Sequence, residues 1–312
     1  MFVNMAKAFD SVAHKHLQRV LALAGVDRSF RAVVGSCYRG AYTTIRAADG
    51  QTKKIFIRRG VKQGDPLSPL LFNLALDPLL YTLDHKGHGL SIKGQDGTFH
   101  KLTAMAFADD LVLVSGTWDG MAQNLAILEA FLGCTGLQVN PTKTQGIYIG
   151  RQGPRYTIND CPAWEMNGEA LGMVGSEDRV RYLGVELSPQ KGILKPAIRD
   201  TLAGMLRRIG SAPLKPRQKV SLLKVYALPR LIYVADHGKV PKAILDVCDR
   251  DARAHLKAWL HLDQSTTNGL AYARPRDGGL GLPKLASVVL ATQVRYLLLL
   301  LIALLSQLTL LL

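Results

Sequence analysis

The stretch from Leu102 to Ser115 constrains the fold of this chain more than any other part of the sequence. Two adjacent carboxylates, Asp109 and Asp110, lie there between two short apolar runs that contain no glycine or proline. Apolar runs of this length that are rich in valine and leucine are typical of buried strands. We therefore predict a β-hairpin that presents the two carboxylates at its tip.

The two carboxylates require a counter-charge, because like charges in an apolar setting repel each other and lose their hydration. A divalent metal ion is the simplest one, since hard carboxylate oxygens suit Mg²⁺, which can also bind substrate phosphates. For the dipeptide alone, an acidic hairpin turn without a ligand is the alternative. The apolar flanks and the neighbouring motifs favour a metal site at Asp109 and Asp110.

The composition indicates a globular protein with a polyanionic partner. The 312 residues are 48% hydrophobic and 20% charged, which suffices for a sizeable core and one to three domains. The net charge of +15 favours nucleic acid over a membrane surface. The densest basic block is 191–242, with 12 basic and 2 acidic residues. We predict that this block contacts phosphates and is more than a solvated helix face.

Cysteine usage and the chain termini bear on the cellular compartment. The four cysteines are far apart and form no metal-binding pattern, which argues against disulfides and structural zinc and for a reducing compartment. With no recognisable signal peptide, we expect a nuclear or cytoplasmic protein. The Leu-rich segment 296–312 is shorter than the roughly 20 residues that span a bilayer, so we interpret it as a low-complexity tail and expect no membrane partner. A membrane-anchored protein is the alternative, and it would rest on this segment alone.

Ahead of the acidic hairpin, the sequence predicts a strand at 2–5, a helix capped by Asp10 or Ser11, and a second helix at 27–38. A hairpin at 43–58 follows, centred on a turn signal with Gly50.

A basic loop, residues 58–64, then leads into a long helix that ends near Leu83. Gly60 and Gly64 allow close backbone approach to a ligand, and the charge comes from Arg58, Arg59 and Lys62. An ordinary basic turn before a core helix is equally compatible with this loop.

Beyond the acidic hairpin, the pattern predicts a helix at 118–132 and a turn at 136–144. A short strand at 182–187 follows, and then helices from 193 to about 262 that prolines interrupt.

These segments, in this order, resemble the palm of a reverse transcriptase from a non-LTR retrotransposon, closest to elements that insert site-specifically into ribosomal RNA genes. Residues 2–17 resemble the first palm motif and 58–74 the second. The sequence Phe-Ala-Asp-Asp at 107–110 resembles the third, 136–143 the fourth, and 182–187 the primer-grip turn. An ordered set of five motifs is very specific.

The resemblance implies an α+β fold, with an antiparallel palm sheet and packed helices. The palm would occupy residues 1–190, a basic, mainly helical thumb-like region 191–265, and a post-thumb segment 266–295, followed by the tail at 296–312. Because the chain begins at the first palm motif and continues only a short way past the thumb-like region, we expect the fingers and an endonuclease to be absent, and the sequence contains no Cys/His zinc motif. The implied activity is RNA-directed DNA polymerisation, with an RNA template, a DNA primer and deoxynucleoside triphosphates as partners.

The resemblance also implies roles for individual residues. Asp109 and Asp110 would bind two Mg²⁺ ions that activate the primer 3′-hydroxyl and stabilise the leaving pyrophosphate, which Lys143 would protonate. Phe9 would lie under the incoming sugar and exclude a 2′-hydroxyl by its bulk. The template and nucleotide would contact four residues of the basic loop: Gln63, Gly64, Arg59 and Lys62. Considered alone, Phe9 could be a core aromatic residue and Lys143 a solvated lysine.

The first palm motif departs from the family at Asn4, where active relatives have a third metal-binding carboxylate. An amide oxygen can bind a metal but adds no charge to a site that depends on charge neutralisation. We expect polymerase activity to be severely impaired. The alternative function is that of a non-catalytic retrotransposon remnant that only binds nucleic acid through its basic helices.

Overall fold

The computed structural model describes residues 1–296, apart from 49, 95, 96, 153 and 159–162. They form two compact units, Met1–Asp178 and a second unit that begins at Arg179. The first unit mixes helices and strands and the second is mainly helical, which confirms the predicted α+β class.

The first unit contains five described α-helices, one short 3₁₀ helix and fifteen described strands. Helices α1 to α5 are Ala8–Ser11, His14–Leu23, Arg28–Tyr38, Ser68–Lys86 and Trp118–Thr135. Strands β1 to β9 are Phe2–Asn4, Tyr42–Thr43, Arg46–Ala47, Gly50–Gln51, Ile55–Phe56, Leu90–Lys93, Phe99–Leu102, Ala104–Phe107 and Asp110–Leu113. Strands β10 to β15 are Gln145–Gly146, Ile149–Gln152, Arg155–Ile158, Glu165–Met166, Glu169–Ala170 and Gly172–Met173.

A five-stranded sheet in the order β15-β10-β1-β9-β8 positions the acidic pair. Strand β1 runs antiparallel to both β9 and β10, and β8 and β9 form the predicted hairpin around Asp109 and Asp110. Apolar residues recur every three or four positions along α4 and α5, and both helices contribute to the core beside Leu111 and Leu113 of β9. Strand β9 therefore lies in the buried part of the sheet, as its apolar run predicts. The same prediction is wrong for β8, which is the edge strand and exposes Met105 and Phe107.

The predicted capping of the first long helix by Asp10 or Ser11 is wrong. Both residues lie within the short helix α1, and α2 begins at His14 after Ala13, which provides no side-chain cap. The Asp10 carboxylate instead accepts a hydrogen bond from Gln63 Nε2 at 3.0 Å. A contact between residues so far apart in the chain satisfies this carboxylate, and local spacing could not reveal it.

The second unit is built from helices packed on their own apolar core. Its helices α6 to α10 are Ile198–Ser211, Pro216–Leu222, Leu228–His237, Lys242–Trp259 and Gly269–Tyr272, and a π-helical segment, Leu223–Ala227, joins α7 to α8. Residues 285–296 are also helical. Its strands β16 to β18 are Val180–Tyr182, Val185–Ser188 and Gly192–Ile193.

The single strand predicted at 182–187 is a hairpin in the structure. Strands β16 and β17 pair antiparallel across Leu183 and Gly184, which have φ values of 47° and 79°. Two consecutive positive φ values produce the tight two-residue turn that matches the twist of paired strands.

Among the helices that the structure describes, none combines the length and apolar character needed to cross a bilayer. Apart from Tyr296, the Leu-rich segment at 296–312 lies outside the described residues.

Candidate active site

The acidic pair lies at the tip of a two-residue hairpin turn. Phe107 of β8 pairs with Asp110 of β9, so only Ala108 and Asp109 connect the strands. Ala108 has a φ of 51°, in the left-handed region that residues with a Cβ rarely adopt. Backbone strain of this kind is often retained at functional sites, and here it presents Asp109 at the tip and Asp110 at the first position of β9.

Neither carboxylate has a protein counter-charge within the described part of the chain. Asp109 and Asp110 are both exposed and form no side-chain hydrogen bond or ion pair with another described residue. Partial loss of hydration beside the sheet raises the pKa of the Asp110 carboxyl above its usual value, and the neighbouring charge of Asp109 raises it further. Because both effects disfavour the ionised pair, a bound cation would stabilise it.

Asn4 lies directly opposite Asp110 in the β1–β9 pairing. Directly opposed residues of antiparallel strands project to the same face, with Cβ atoms roughly 5 Å apart. The Asn4 backbone is held on both sides, since its N–H donates to Thr144 Oγ1 at 3.2 Å and its carbonyl accepts from the Asn140 N–H at 2.8 Å. The neutral amide is therefore positioned beside the acidic pair.

The donor set at this tip is two carboxylates and one amide oxygen. No group of three or more histidine, cysteine, aspartate or glutamate residues that could hold a metal ion occurs in the part of the chain that the structure describes. Oxygen donors of this type fit a hard divalent cation such as Mg²⁺, but the third donor at Asn4 contributes no negative charge. The residues present therefore fit a divalent-cation site whose donors carry less negative charge than three carboxylates would.

A second feature of the site is an open groove of about 480 Å³ beside the basic loop. It is lined by Phe9, Gln63, Gly64, Asp65, Pro66, Ser68 and Pro69. Three of the residues predicted to contact nucleotide or template are thus brought together. Phe9 is half-buried and stacks on Phe72, with ring centroids 4.4 Å apart and planes 14° apart, so its position is fixed by the core beneath it.

The basic loop is docked on the segment that follows β1. The N–H of Val61 donates to the Phe9 carbonyl at 2.7 Å, and the N–H of Gly60 donates to the Val12 carbonyl at 2.8 Å. Gly60 has a φ of +88°, and a Cβ there would come within 2.7 Å of Asp10 Cα. The close approach predicted at Gly60 is therefore made by the protein's own backbone, and no side chain fits at this position.

The other three predicted residues do not line this groove. Arg59 reaches toward Gly136, where an added Cβ would lie 3.4 Å from a guanidinium nitrogen. Lys62 Nζ lies 5.9 Å from the centroid of the Tyr38 ring. Lys143 is exposed and ends a 3₁₀ turn, Pro141–Lys143, beside the segment that is hydrogen-bonded to Asn4.

Three residues that the sequence did not single out hold the site together. His14 Nε2 is 2.9 Å from the Gly60 carbonyl and can donate to it, while Asn140 and Thr144 bond the Asn4 backbone. Asn140 also caps the 3₁₀ turn by accepting from the Lys143 N–H at 3.3 Å. The Asn140-Pro141 pair is a turn signal in the sequence, but nothing local connects it to β1.

Comparison with known protein families shows what this chain is similar to. The family model described as "Reverse transcriptase (RNA-dependent DNA polymerase)" matches residues 1–187. A Pol polyprotein from the type-1 retrotransposable element R2 of Popillia japonica is 36% identical over 280 residues, covering 90% of this chain and 45% of the relative. The Pol polyprotein of the type-2 element R2DM of Drosophila melanogaster is 32% identical over 296 residues, covering 94% and 27%.

The chain thus spans less than half the length of either relative. Among solved structures, telomerase from Candida albicans, in complex with a fragment of telomeric RNA, aligns with a TM-score of 0.42 and 12% identity, over 84% of this chain and 40% of that one. The match to residues 1–187 covers more than half of the sequence and confirms the resemblance predicted from the motifs. The chain therefore belongs to the reverse transcriptase family, and its relatives include the Pol polyproteins of R2 retrotransposable elements.

Proposed function

We propose that this chain carries the catalytic palm of an RNA-directed DNA polymerase and that Asp109 and Asp110 bind its divalent metal ions. The observation that carries this proposal is the exposed carboxylate pair on a strained hairpin, which has no partner among the described residues and has Asn4 opposite Asp110. Mg²⁺ bound there would activate the primer 3′-hydroxyl and stabilise the triphosphate and the leaving pyrophosphate. The chain acts on an RNA template, a DNA primer and deoxynucleoside triphosphates.

Asn4 sets the level of activity in this proposal. The family's third carboxylate would bring the local charge to −3, whereas Asp109 and Asp110 provide −2, so the cations and the triphosphate are held less firmly. The amide oxygen of Asn4 keeps a ligand at the correct place because the β1–β9 register fixes it. We infer a polymerase with strongly reduced activity.

The groove beside the basic loop is the proposed nucleotide site. Phe9 forms its floor, and its stacking on Phe72 prevents it from moving away from a ribose 2′-hydroxyl. Gln63 is oriented by its hydrogen bond to Asp10, and Gly64 leaves room for the template base. This arrangement supports discrimination between deoxyribonucleotides and ribonucleotides.

The cations near the site have less specific proposed roles. Arg59 and Lys62 attract the nucleic-acid backbone from positions outside the groove, and Lys143 protonates the pyrophosphate oxygen as it leaves. Residues 1–190 act as the palm and 191–265 as a thumb that contacts primer and template phosphates. The basic helices α6, α7 and α8 support the second assignment because 191–242 carries 12 cations and 2 anions.

A second candidate function is nucleic-acid binding without polymerisation. The specific observation in its favour is Asn4, since loss of one metal-binding charge can abolish two-metal chemistry while leaving the basic surfaces intact.

Primer extension with Mg²⁺ on an RNA template distinguishes the two functions. The native chain is compared with Asn4→Asp and Asp109→Ala, and Asp84→Ala serves as a control that removes an exposed carboxylate elsewhere. We expect weak extension by the native chain and Asp84→Ala, stronger extension by Asn4→Asp, and none by Asp109→Ala. Equal extension by Asp109→Ala would refute the metal assignment. Template binding without extension by the native chain and by Asn4→Asp would establish the second function.

A further inference from the structure

A groove of about 810 Å³ lies between α2 and α3, apart from the candidate active site. Four cations line it, two from each side: Lys15 and Arg19 on α2, and Arg31 and Arg39 on α3 and at its end. Within the described part of the chain, no acidic residue lines it. The other lining residues are His14, Leu17, Gln18, Ala32, Gly35 and Tyr38.

The positive charge of this groove is not balanced by the described residues. None of the four cations forms a salt bridge with a described residue. Arg31 Nε is buried without a hydrogen-bond partner among the described residues. The only acidic residue between His14 and Arg39 is Asp27, whose carboxylate is used by Ser29 at the start of α3. Four uncompensated cations facing each other favour an anionic ligand.

The spacing of the cations fits a chain of phosphates better than a single small anion. Lys15 and Arg19 are one helical turn apart, and Arg31 and Arg39 are two turns apart, so the charges extend over roughly 10 Å along the groove. Lys15, Arg19 and Arg39 are exposed and can reach successive anionic groups. A flexible polyanion can occupy the full length of such a groove.

A second, independent feature adjoins this groove. Only Gly40 and Ala41 separate Arg39 from Tyr42, so the Cα atoms of these two residues lie within about 11 Å of each other. Tyr42 pairs with Phe56 across the β2–β5 hairpin. Tyr42 is 49% exposed and Phe56 58% exposed, and Lys54 Nζ lies 4.3 Å from the Tyr42 ring centroid. Exposed aromatic rings interleaved with cations are typical of single-strand binding surfaces, where bases stack on the rings.

We propose that the α2–α3 groove and the adjoining aromatic hairpin form a second nucleic-acid site, which binds a single strand. The groove cations contact successive phosphates, and Tyr42 and Phe56 stack with the bases that follow. His14 lines the groove and is hydrogen-bonded to the Gly60 carbonyl, so a strand bound there lies against the back of the basic loop. An acidic peptide would match the cations but would leave the two exposed rings unexplained.

The two parts of this site have different signatures in solution, which a binding experiment can separate. A 5′-fluorescein-labelled, 20-nucleotide single-stranded RNA is titrated with the full chain between 50 mM and 300 mM salt, in EDTA, and followed by fluorescence anisotropy. Each lost phosphate contact lowers the slope of log affinity against log salt by about 0.7 for a single strand, whereas loss of stacking lowers affinity without changing the slope.

For Arg19→Gln/Arg39→Gln we expect about tenfold weaker binding at 100 mM salt and a slope reduced by about 1.4. For Phe56→Ser we expect about tenfold weaker binding with the slope unchanged. Lys86→Gln/Lys93→Gln is the matched control, because it removes two exposed cations of the same unit that do not line the groove. Thermal unfolding of each variant verifies that the fold is retained.

The proposal is overturned if the control pair weakens binding as much as the groove pair, or if the groove pair leaves the salt slope unchanged. It is also overturned if polyglutamate of matched charge displaces the RNA and Phe56→Ser binds like the native chain, which would indicate an acidic protein partner. EDTA excludes any contribution of metal chemistry. Failure here therefore leaves the proposed polymerase function untouched, and failure of primer extension leaves this site untouched.

Discussion

The acidic hairpin of the first unit and the basic helices of the second differ in how the fold uses their charges. Asp109 and Asp110 are placed by strand register and have no partner among the described residues. In the second unit, several cations of 191–242 are already used within the fold. Lys219 Nζ donates to the Gly210 carbonyl at 2.6 Å, and Lys224 Nζ donates to the Leu280 carbonyl at 3.2 Å.

The cations left for a ligand in the second unit are therefore fewer than the sequence count indicates. Lys191, Arg207, Arg217 and Lys239 are exposed, and no described residue forms an ion pair or hydrogen bond with their side chains. Metal binding by the acidic pair depends on where the carboxylates lie, because a metal ion requires donors at fixed distances. Nucleic-acid binding by the basic surface depends on how many cations are free, because each phosphate contact adds a similar increment of affinity whatever its exact location.

Removal of one carboxylate gives the largest expected effect. We expect Asp110→Asn to lower nucleotide incorporation by about 10³-fold, since the residual site holds one carboxylate for a metal that requires charge neutralisation. Single-turnover primer extension measures this loss, and RNA binding in EDTA by the same variant should be unchanged. A variant that loses binding as well would show that the acidic hairpin also has a role in holding the strand.

A substitution at Gly60, where the basic loop contacts the Asp10 backbone, gives the second largest expected effect. We expect Gly60→Ala to reduce the free energy of unfolding by about 2–4 kcal/mol, because a Cβ would clash with the Asp10 backbone and φ is +88°. Urea denaturation measures the change. Gly40→Ala is the control, with a φ of +68° and no atom of a described residue within 4 Å of the added Cβ, and should lose only about 1 kcal/mol. Equal losses would mean that Gly60 has no special packing role.

Neutralising free cations of the second unit gives an intermediate effect. We expect Arg207→Gln/Arg217→Gln to weaken RNA and DNA binding about tenfold, regardless of sequence, because each cation contributes through phosphate contact. Lys219→Gln/Lys224→Gln should change affinity less and lower the unfolding midpoint instead, since those ammonium groups bond backbone carbonyls. Anisotropy titrations and thermal melts on the two variants test this distinction, which fails if both pairs weaken binding equally.

The pH dependence of stability gives the smallest effect. The pKa of Asp110 is raised in the folded chain, so the folded state holds this proton more tightly than the unfolded state. The free energy of unfolding of the native chain, compared with that of Asp110→Asn, should therefore fall as the pH rises from the pKa of about 4 in the unfolded chain towards the higher pKa in the folded chain. Denaturation at pH 4 and pH 7 measures the difference. Mg²⁺ at pH 7 should stabilise the native chain only.

The local sequence pattern predicted those elements that are determined by residues close together in the sequence. The apolar flanks predicted the acidic hairpin, and helical periodicity predicted α3, which Asp27 caps by accepting from the Ser29 N–H at 2.8 Å. The groove residues Phe9, Gln63 and Gly64 came from the family resemblance, and the structure brings them together.

Contacts between distant segments could not be predicted in the same way. The register that sets Asn4 opposite Asp110 joins residues over a hundred positions apart, and Asp10, which lies inside α1, is bonded by Gln63 from a distant loop. Gly60 illustrates the limit most clearly. The glycine at this position predicted a close backbone approach, but only the fold shows that the approaching atoms belong to the Asp10 backbone.

The most direct test of the central claim is Mn²⁺ binding followed by electron paramagnetic resonance, which needs neither template nor turnover. We predict that the native chain binds Mn²⁺, that Asn4→Asp binds it more tightly, and that Asp109→Asn/Asp110→Asn loses this site. Mg²⁺ should compete for it. If the double variant bound Mn²⁺ as well as the native chain does, the acidic hairpin would not be the metal site.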